Sequence, residues 1–101
     1  MKDFSITALA QAIKAPPPKR NGSVVGVSID SRTVKPGDCF FAIKGEKFDG
    51  HDYVPAAFAK GAVCAVISRA VGGEALADKC LLKVSDTVKA LGDFAREYRR
   101  R

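Results

Sequence analysis

Two polar stretches hold most of the groups in this 101-residue chain that could do chemistry. In Asp30-Ser31-Arg32 a hydroxyl and a guanidinium stand side by side, donors of the kind that hold a phosphate or the edge of a nucleobase. In Gly45-Glu46-Lys47-Phe48-Asp49-Gly50-His51, two glycines, both signs of charge and an aromatic ring lead up to the one histidine of the chain. Each stretch also has an ordinary explanation. A strand-end turn accounts equally well for Ser31 and Arg32, and turn or cap roles account for Asp30 and Asp49, which could otherwise be read as a carboxylate pair. His51 could serve as an acid, a base or a hydrogen-bond donor, although a histidine near a helix start more often caps or packs.

Most familiar chemical signatures are missing. There is no GxxxxGK[ST] phosphate cradle, no GxGxxG fingerprint and no GxSxG elbow, and two glycines without a following Lys-Ser/Thr are weak evidence of phosphate binding. Cys39, Cys64 and Cys80 are far apart, odd in number and set in apolar runs, with no CxxC, which fits buried thiols in a reducing compartment and argues against a zinc or redox centre. A formal charge of +6 would attract a polyanion, yet much of it sits at Lys19-Arg20 and in the closing Arg96, Arg99, Arg100 and Arg101, where cations offset a helix dipole. No nucleic-acid motif accompanies them, so a solvated basic end is favoured over a nucleic-acid surface. No apolar run approaches a membrane span, and the N-terminus is too broken by polar groups for a signal peptide, which predicts a cytoplasmic protein.

The elements that must position the two stretches follow from periodicity. Ser5 caps a helix whose apolar stripe is Ile6, Leu9, Ala10 and Ile13, and Pro16-Pro17-Pro18 ends it. Asn21-Gly22 leads into a strand over 24–29, with Val25, Val27 and Ile29 on the covered face. Pro36-Gly37 is a type II turn signal before a continuous apolar strand over 39–43, buried on both faces. Asp52 is placed to cap a helix that Gly61 stops. A strand over 62–67, a surface connection over 69–79 containing Gly72-Gly73, and a strand at Leu81, Leu82 and Val84 come next. Asp86 then caps a last helix carrying Val88, Leu91, Phe94, Ala95 and Tyr98 on one face. This alternation predicts one α/β domain, a small mixed sheet with flanking helices, in which the strands on either side of Pro36-Gly37 run antiparallel. Strand ends that deliver a polar loop onto a helix start are where such domains hold anionic ligands.

The series DSRTVKPGDCFFAIKGEKFDGHDYV, AAFAKGAVCAVIS and VSDTVKALGDFA resembles the N-terminal domain of the Mur ligases over nearly the whole chain, from about Ser5 to Tyr98. KGEKFDGHDY and DTVKALGDFA look most like the MurF type, the UDP-N-acetylmuramoyl-tripeptide:D-alanyl-D-alanine ligases; the MurE type, which adds the third stem-peptide residue, is the near alternative. The resemblance implies that residues 1–101 form a single UDP-substrate-binding domain of a longer enzyme. ATP and Mg2+ would then be held elsewhere, with no cofactor and no catalytic residue here. It implies a substrate site made of Ser31, Arg32, Gly45, Glu46, Lys47, Phe48, Asp49, Gly50 and His51, facing UDP-N-acetylmuramoyl-tripeptide, while D-alanyl-D-alanine would be met by absent domains. In that setting Ser31 and loop amides can bind uracil and diphosphate oxygens, Lys47 or Arg32 can offset charge, and Phe48 can cover the base. The rivals are a free-standing basic nucleic-acid module and an interaction domain whose loop only caps a helix.

Overall fold

Residues that alternate in and out along two buried strands organise the molecule. The computed structural model describes residues 3–18, 21–71, 76 and 79–100. Strand β4 (Asp38–Phe41) is buried at every position, as is β5 (Cys64–Ile67). Successive side chains of a strand point to opposite faces. Cys39, Phe41, Cys64 and Val66 therefore enter one apolar core, and Phe40, Ala42, Ala65 and Ile67 enter the other. With β3 (Gly26–Ser28) and β6 (Leu81–Lys83) on the outside, the four strands form a sheet in the order β3-β4-β5-β6, all parallel. A central strand of a parallel sheet is covered on both sides, which is why its sequence is continuously apolar.

The first core is closed by α1 (Ile6–Ala12) and α3 (Thr87–Arg100). Ser5 caps α1 by accepting the Ala8 N–H at 3.0 Å, and Asp86 caps α3 by accepting the Val88 and Lys89 N–H groups at 2.9 and 3.1 Å. Phe94 anchors α3. Its ring meets Phe4 edge-on, with centroids 5.2 Å apart, and lies 6.2 Å from Phe41. Phe4 belongs to a two-stranded antiparallel ribbon, β1 (Phe4–Ser5) with β2 (Ser23–Val24), which lays Val24 into the same core. The second core is closed by α2 (Val54–Ala59), through Val54 and Ala57, together with Val34, Ala62 and Leu76.

The α/β class, the mixture of strand directions and the flanking helices agree with the sequence reading, but the mixture is distributed differently. The strands on either side of Pro36-Gly37 are parallel, with Val27 opposite Cys39. Pro36-Gly37 does turn the chain, with Gly37 at φ 92° and the Asp38 N–H donating to the Lys35 carbonyl at 3.0 Å. However, residues 29–35 have by then run back along the sheet, so the turn feeds β4 beside the start of β3 instead of closing a hairpin. The 24–29 strand is two pieces with the opposite face covered: Val24 and Ser28 are buried, Val25 and Ile29 exposed. The break falls at Val25, whose N–H leaves the ribbon to bond the Gly37 carbonyl at 3.0 Å.

Two further details differ from expectation. Val88 is exposed because it lies on a different side of α3 from buried Thr87, Ala90 and Phe94. Asp52 caps nothing; Asp49 begins the turn that leads into α2. The expected Gly72-Gly73 connection, Lys19-Arg20 and Arg101 lie outside the described residues.

Candidate functional site

Parallel α/β sheets hold ligands beyond the carboxyl ends of their strands. In this molecule β3 and β4 end beside each other, and the two polar stretches follow them. After β3, Ser31–Thr33 forms one 3-10 turn capped by Asp30. Buried Ser28 braces it from below: its hydroxyl donates to the Asp30 carbonyl at 2.8 Å and meets the Thr33 hydroxyl at 2.9 Å. Asp30 accepts the Arg32 N–H at 2.9 Å and the guanidinium through Nε at 3.1 Å and Nη2 at 2.8 Å. These bonds hold the Asp30 carboxyl down to about 2, the guanidinium contributing most, and raise the pKa of Arg32 in return. Lys60 Nζ donates to the Arg32 carbonyl at 3.1 Å, adding a cation behind the turn.

After β4 the chain makes a tight knot. Lys44 and Asp49 form an antiparallel bridge, the Gly45 N–H donates to the Phe48 carbonyl at 2.7 Å, and the Gly50 N–H donates to the Ile43 carbonyl at 2.9 Å. Gly50 is required by close approach: a Cβ there would lie 2.7 Å from Ile43 N and 3.0 Å from Ile43 O, both backbone atoms. A second 3-10 turn, Gly50–Tyr53, begins at once with Asp49 as its cap. Residues three apart eclipse one another in this helix type, so Gly50 and Tyr53 present the same face.

Between the two turns lies a cleft of about 410 Å³. One wall is Ile29, Asp30, Ser31 and Arg32, the floor is Phe40 and Ile43, and the far wall is Phe48, Gly50 and Tyr53. That volume falls within the roughly 300–1,000 Å³ of small-molecule sites. Among the described residues, three of the five exposed large apolar side chains, Ile29 (56%), Phe48 (68%) and Tyr53 (41%), line this one cleft. Such a surface is chemically suited to a flat, partly apolar ligand.

Of the nine expected site residues, Ser31, Arg32, Phe48 and Gly50 line the cleft. Gly45, Glu46 and Lys47 are exposed on the loop and are not among its walls. Asp49 and His51 sit behind it. Asp49 Oδ1 accepts the His51 N–H at 3.0 Å and lies 2.6 Å from His51 Nδ1, while Oδ2 accepts Arg69 Nε and Nη2, each at 3.2 Å. The His51 backbone bond leads the forces that hold the Asp49 carboxyl down to about 2, followed by the His51 ring and Arg69. The His51 ring is buried, and its Nε2 accepts the Ser68 N–H at 2.9 Å. Asp30 and Asp49 are thus each committed to their own partners.

Sequence reasoning passed over Ile29, Tyr53, Phe40 and Ile43. The usable signals were the alternation that points Ile29 away from buried Ser28, and a turn starting at Asp49, which would have aligned Tyr53 with Gly50.

Elsewhere the chemistry is sparse. Among the described residues no group of three or more His, Cys, Asp or Glu is placed to hold a metal ion, and no helix is long and apolar enough to cross a membrane. Cys39 and Cys64 are free, buried and opposite one another on β4 and β5, and burial pushes the Cys39 thiol well up, which suppresses the thiolate. The basic face of α3 forms only a shallow depression at Lys89, Gly92, Arg96 and Arg99. There Asp93 offsets part of the charge, accepting Lys89 Nζ at 3.2 Å and Arg96 Nη2 at 2.7 Å.

Comparison with known proteins gives this arrangement a family. The profile of the Mur ligase family, catalytic domain, matches residues 23–99, and the chain belongs to the Mur ligase family. More particularly, it has the Mur ligase N-terminal fold and is structurally like MurF. A crystal structure of MurF from Acinetobacter baumannii superposes with a TM-score of 0.82 at 30% identity, over 99% of this chain and 22% of that one. Among curated relatives, the UDP-N-acetylmuramoyl-tripeptide--D-alanyl-D-alanine ligase of Synechocystis sp. is 33% identical over 100 residues, 97% of this chain and 19% of that protein. The UDP-N-acetylmuramoyl-L-alanyl-D-glutamate--2,6-diaminopimelate ligase of Aquifex aeolicus is 41% identical over 75 residues, 74% of this chain and 15% of that protein. The chain therefore spans only a small part of the relatives it matches.

Proposed function

We propose that the cleft binds the uridine diphosphate end of UDP-N-acetylmuramoyl-tripeptide, and that the chain serves a MurF-type cytoplasmic ligase that joins D-alanyl-D-alanine to that substrate. The observation that carries the reading is the convergence of the Asp30-Ser31-Arg32 turn and the Phe48–Gly50 wall on one cleft with Ile29, Phe48 and Tyr53 exposed around it. A pyrimidine has a flat apolar face and a polar edge. The rings of Phe48 and Tyr53 suit the face, and the Ser31 hydroxyl suits the edge. Arg32 lines the cleft on the side where a diphosphate would leave, its charge offset by Asp30 and supplemented by Lys60 behind the turn. ATP and Mg2+, which activate a carboxylate in ligases of this kind, belong in this reading to the rest of the enzyme. The greater identity with the Aquifex aeolicus protein supports a second reading, a MurE-type ligase with 2,6-diaminopimelate as the incoming amine.

Titrating the 15N-labelled chain with UDP-N-acetylmuramoyl-tripeptide tests the site. Amides of Ser31, Arg32, Phe48 and Gly50 are expected to shift, and those of α3 to stay. No movement around the cleft at millimolar ligand would refute it. Amide-bond formation by the full-length enzyme with D-alanyl-D-alanine, set against 2,6-diaminopimelate, decides between the two types.

A further inference from the structure

We propose that His51 is a positioning residue, a latch that fastens the far wall of the cleft to the sheet without touching the ligand. The inference rests on the nucleotide-binding reading above and adds to it a residue that acts through others. The side chain is only 2% exposed, and both ring nitrogens are engaged inside the chain. The Ser68 N–H can only donate, so Nε2, 2.9 Å away, must be the bare nitrogen. The ring proton then lies on Nδ1, directed at the Asp49 carboxylate 2.6 Å away. This is the reverse of the tautomer that a free imidazole favours, so the surroundings select it.

The latch joins segments that are otherwise distant in sequence. Ser68 follows the last residue of β5, whereas Asp49 and Gly50 close the knot that carries Phe48. Arg69 repeats the connection on the outside, bonding Asp49 Oδ2 at 3.2 Å and Asp52 Oδ1 at 3.1 Å. Phe48, 68% exposed, has little packing of its own to fix it, so its place at the cleft depends on how firmly the backbone beneath is held. His51 supplies the buried part of that hold.

Two substitutions separate the arms of the ring. In His51→Asn the amide nitrogen takes the place of Nδ1 and keeps the Asp49 bond, but nothing reaches Ser68. In His51→Gln the terminal oxygen reaches the position of Nε2 and can accept the Ser68 N–H, while the donor to Asp49 is lost. Long-range 1H–15N spectra of the wild-type chain, unambiguous because it has one histidine, are expected to show Nδ1 protonated and Nε2 bare. With uridine diphosphate as the probe, His51→Asn is expected to bind about tenfold more weakly, because the unpaired Ser68 donor favours conformers in which the Phe48 wall has left the cleft, and His51→Gln to stay within about threefold of wild type. Exchange of the Gly45 N–H, which donates to the Phe48 carbonyl, and of the Gly50 N–H, which donates to the Ile43 carbonyl, is expected to quicken in His51→Asn and to change little in His51→Gln.

A proton on Nε2, or His51→Asn binding uridine diphosphate like wild type with unchanged exchange at Gly45 and Gly50, would overturn the proposal. If the wild-type chain binds no uridine diphosphate, the nucleotide reading fails by itself, and the tautomer and exchange measurements still decide whether the latch exists. If His51→Asn does not fold, the wild-type tautomer and the exchange of His51→Gln carry the test.

Discussion

Gly50→Ala is the sharpest test of how the cleft is built. The methyl group would sit 2.7 Å from Ile43 N, 3.0 Å from Ile43 O and 3.1 Å from Ala42 Cα, all of them main-chain atoms that cannot swing away. Gly50 does not have a positive φ, so the cost is steric, not conformational. Overpacking of this kind costs about 1–3 kcal/mol, and displacing the 2.9 Å bond from Gly50 N–H to Ile43 O adds about 1 kcal/mol. A loss of about 2–4 kcal/mol lowers the melting temperature of a domain this size by roughly 10–30 °C. Gly45→Ala is the control in the same loop, since its Cβ would lie at an ordinary 3.4 Å from the Phe48 carbonyl. It is expected to change stability by no more than about 0.5 kcal/mol. Urea unfolding of both variants, with uridine diphosphate titrated into each, measures the two effects together. Equal stability and equal ligand shifts in Gly50→Ala and wild type would show that the loop does not seat on Ile43 as described.

The remaining predictions concern the core and acid stability. Phe94→Ala removes the ring shared by Phe4, Phe41 and Tyr98 and is expected to cost about 3–5 kcal/mol by urea unfolding, enough to leave the domain marginal. Asp49 has a folded pKa of about 2 against an ordinary 3.8, so the unfolded chain binds the proton more readily. Its contribution to stability is present above pH 3.8 and fades as the pH falls through about 2. The difference in melting temperature between wild type and Asp49→Asn should therefore shrink across that interval. A constant difference would mean that the ionised Asp49 contributes nothing to folding.

Local signals with one physical outcome were legible in the sequence. Ser5 and Asp86 cap as their positions require, and the continuous apolar run at Cys39-Phe40-Phe41 is a strand covered on both faces. Strand direction was not legible, because a Pro-Gly turn closes a hairpin or feeds a parallel strand with the same residues. The distinction lies in residues 29–35, whose return path depends on packing Val34 beneath α2. The covered face of the 24–29 run was misjudged because alternation assumes one unbroken strand, whereas the chain changes partners at Val25. For the site, the two turns could be found from their polar residues. Which side chains face the cleft could not, because that depends on whether the turn begins at Asp49 or at Asp52. A shift of three residues moves Tyr53 to the cleft and commits the acidic cap to His51.

Ile29, Phe48 and Tyr53 stand at the cleft but belong to neither apolar core, so replacing them removes almost none of the packing that keeps the domain folded. On the proposed reading, recognition and foldedness are therefore largely separable here. Libraries confined to these three positions should yield mostly folded proteins while changing which ring system, and how large a one, the cleft admits. If the cleft holds a base as proposed, the same interior would serve variants that accept other flat ligands.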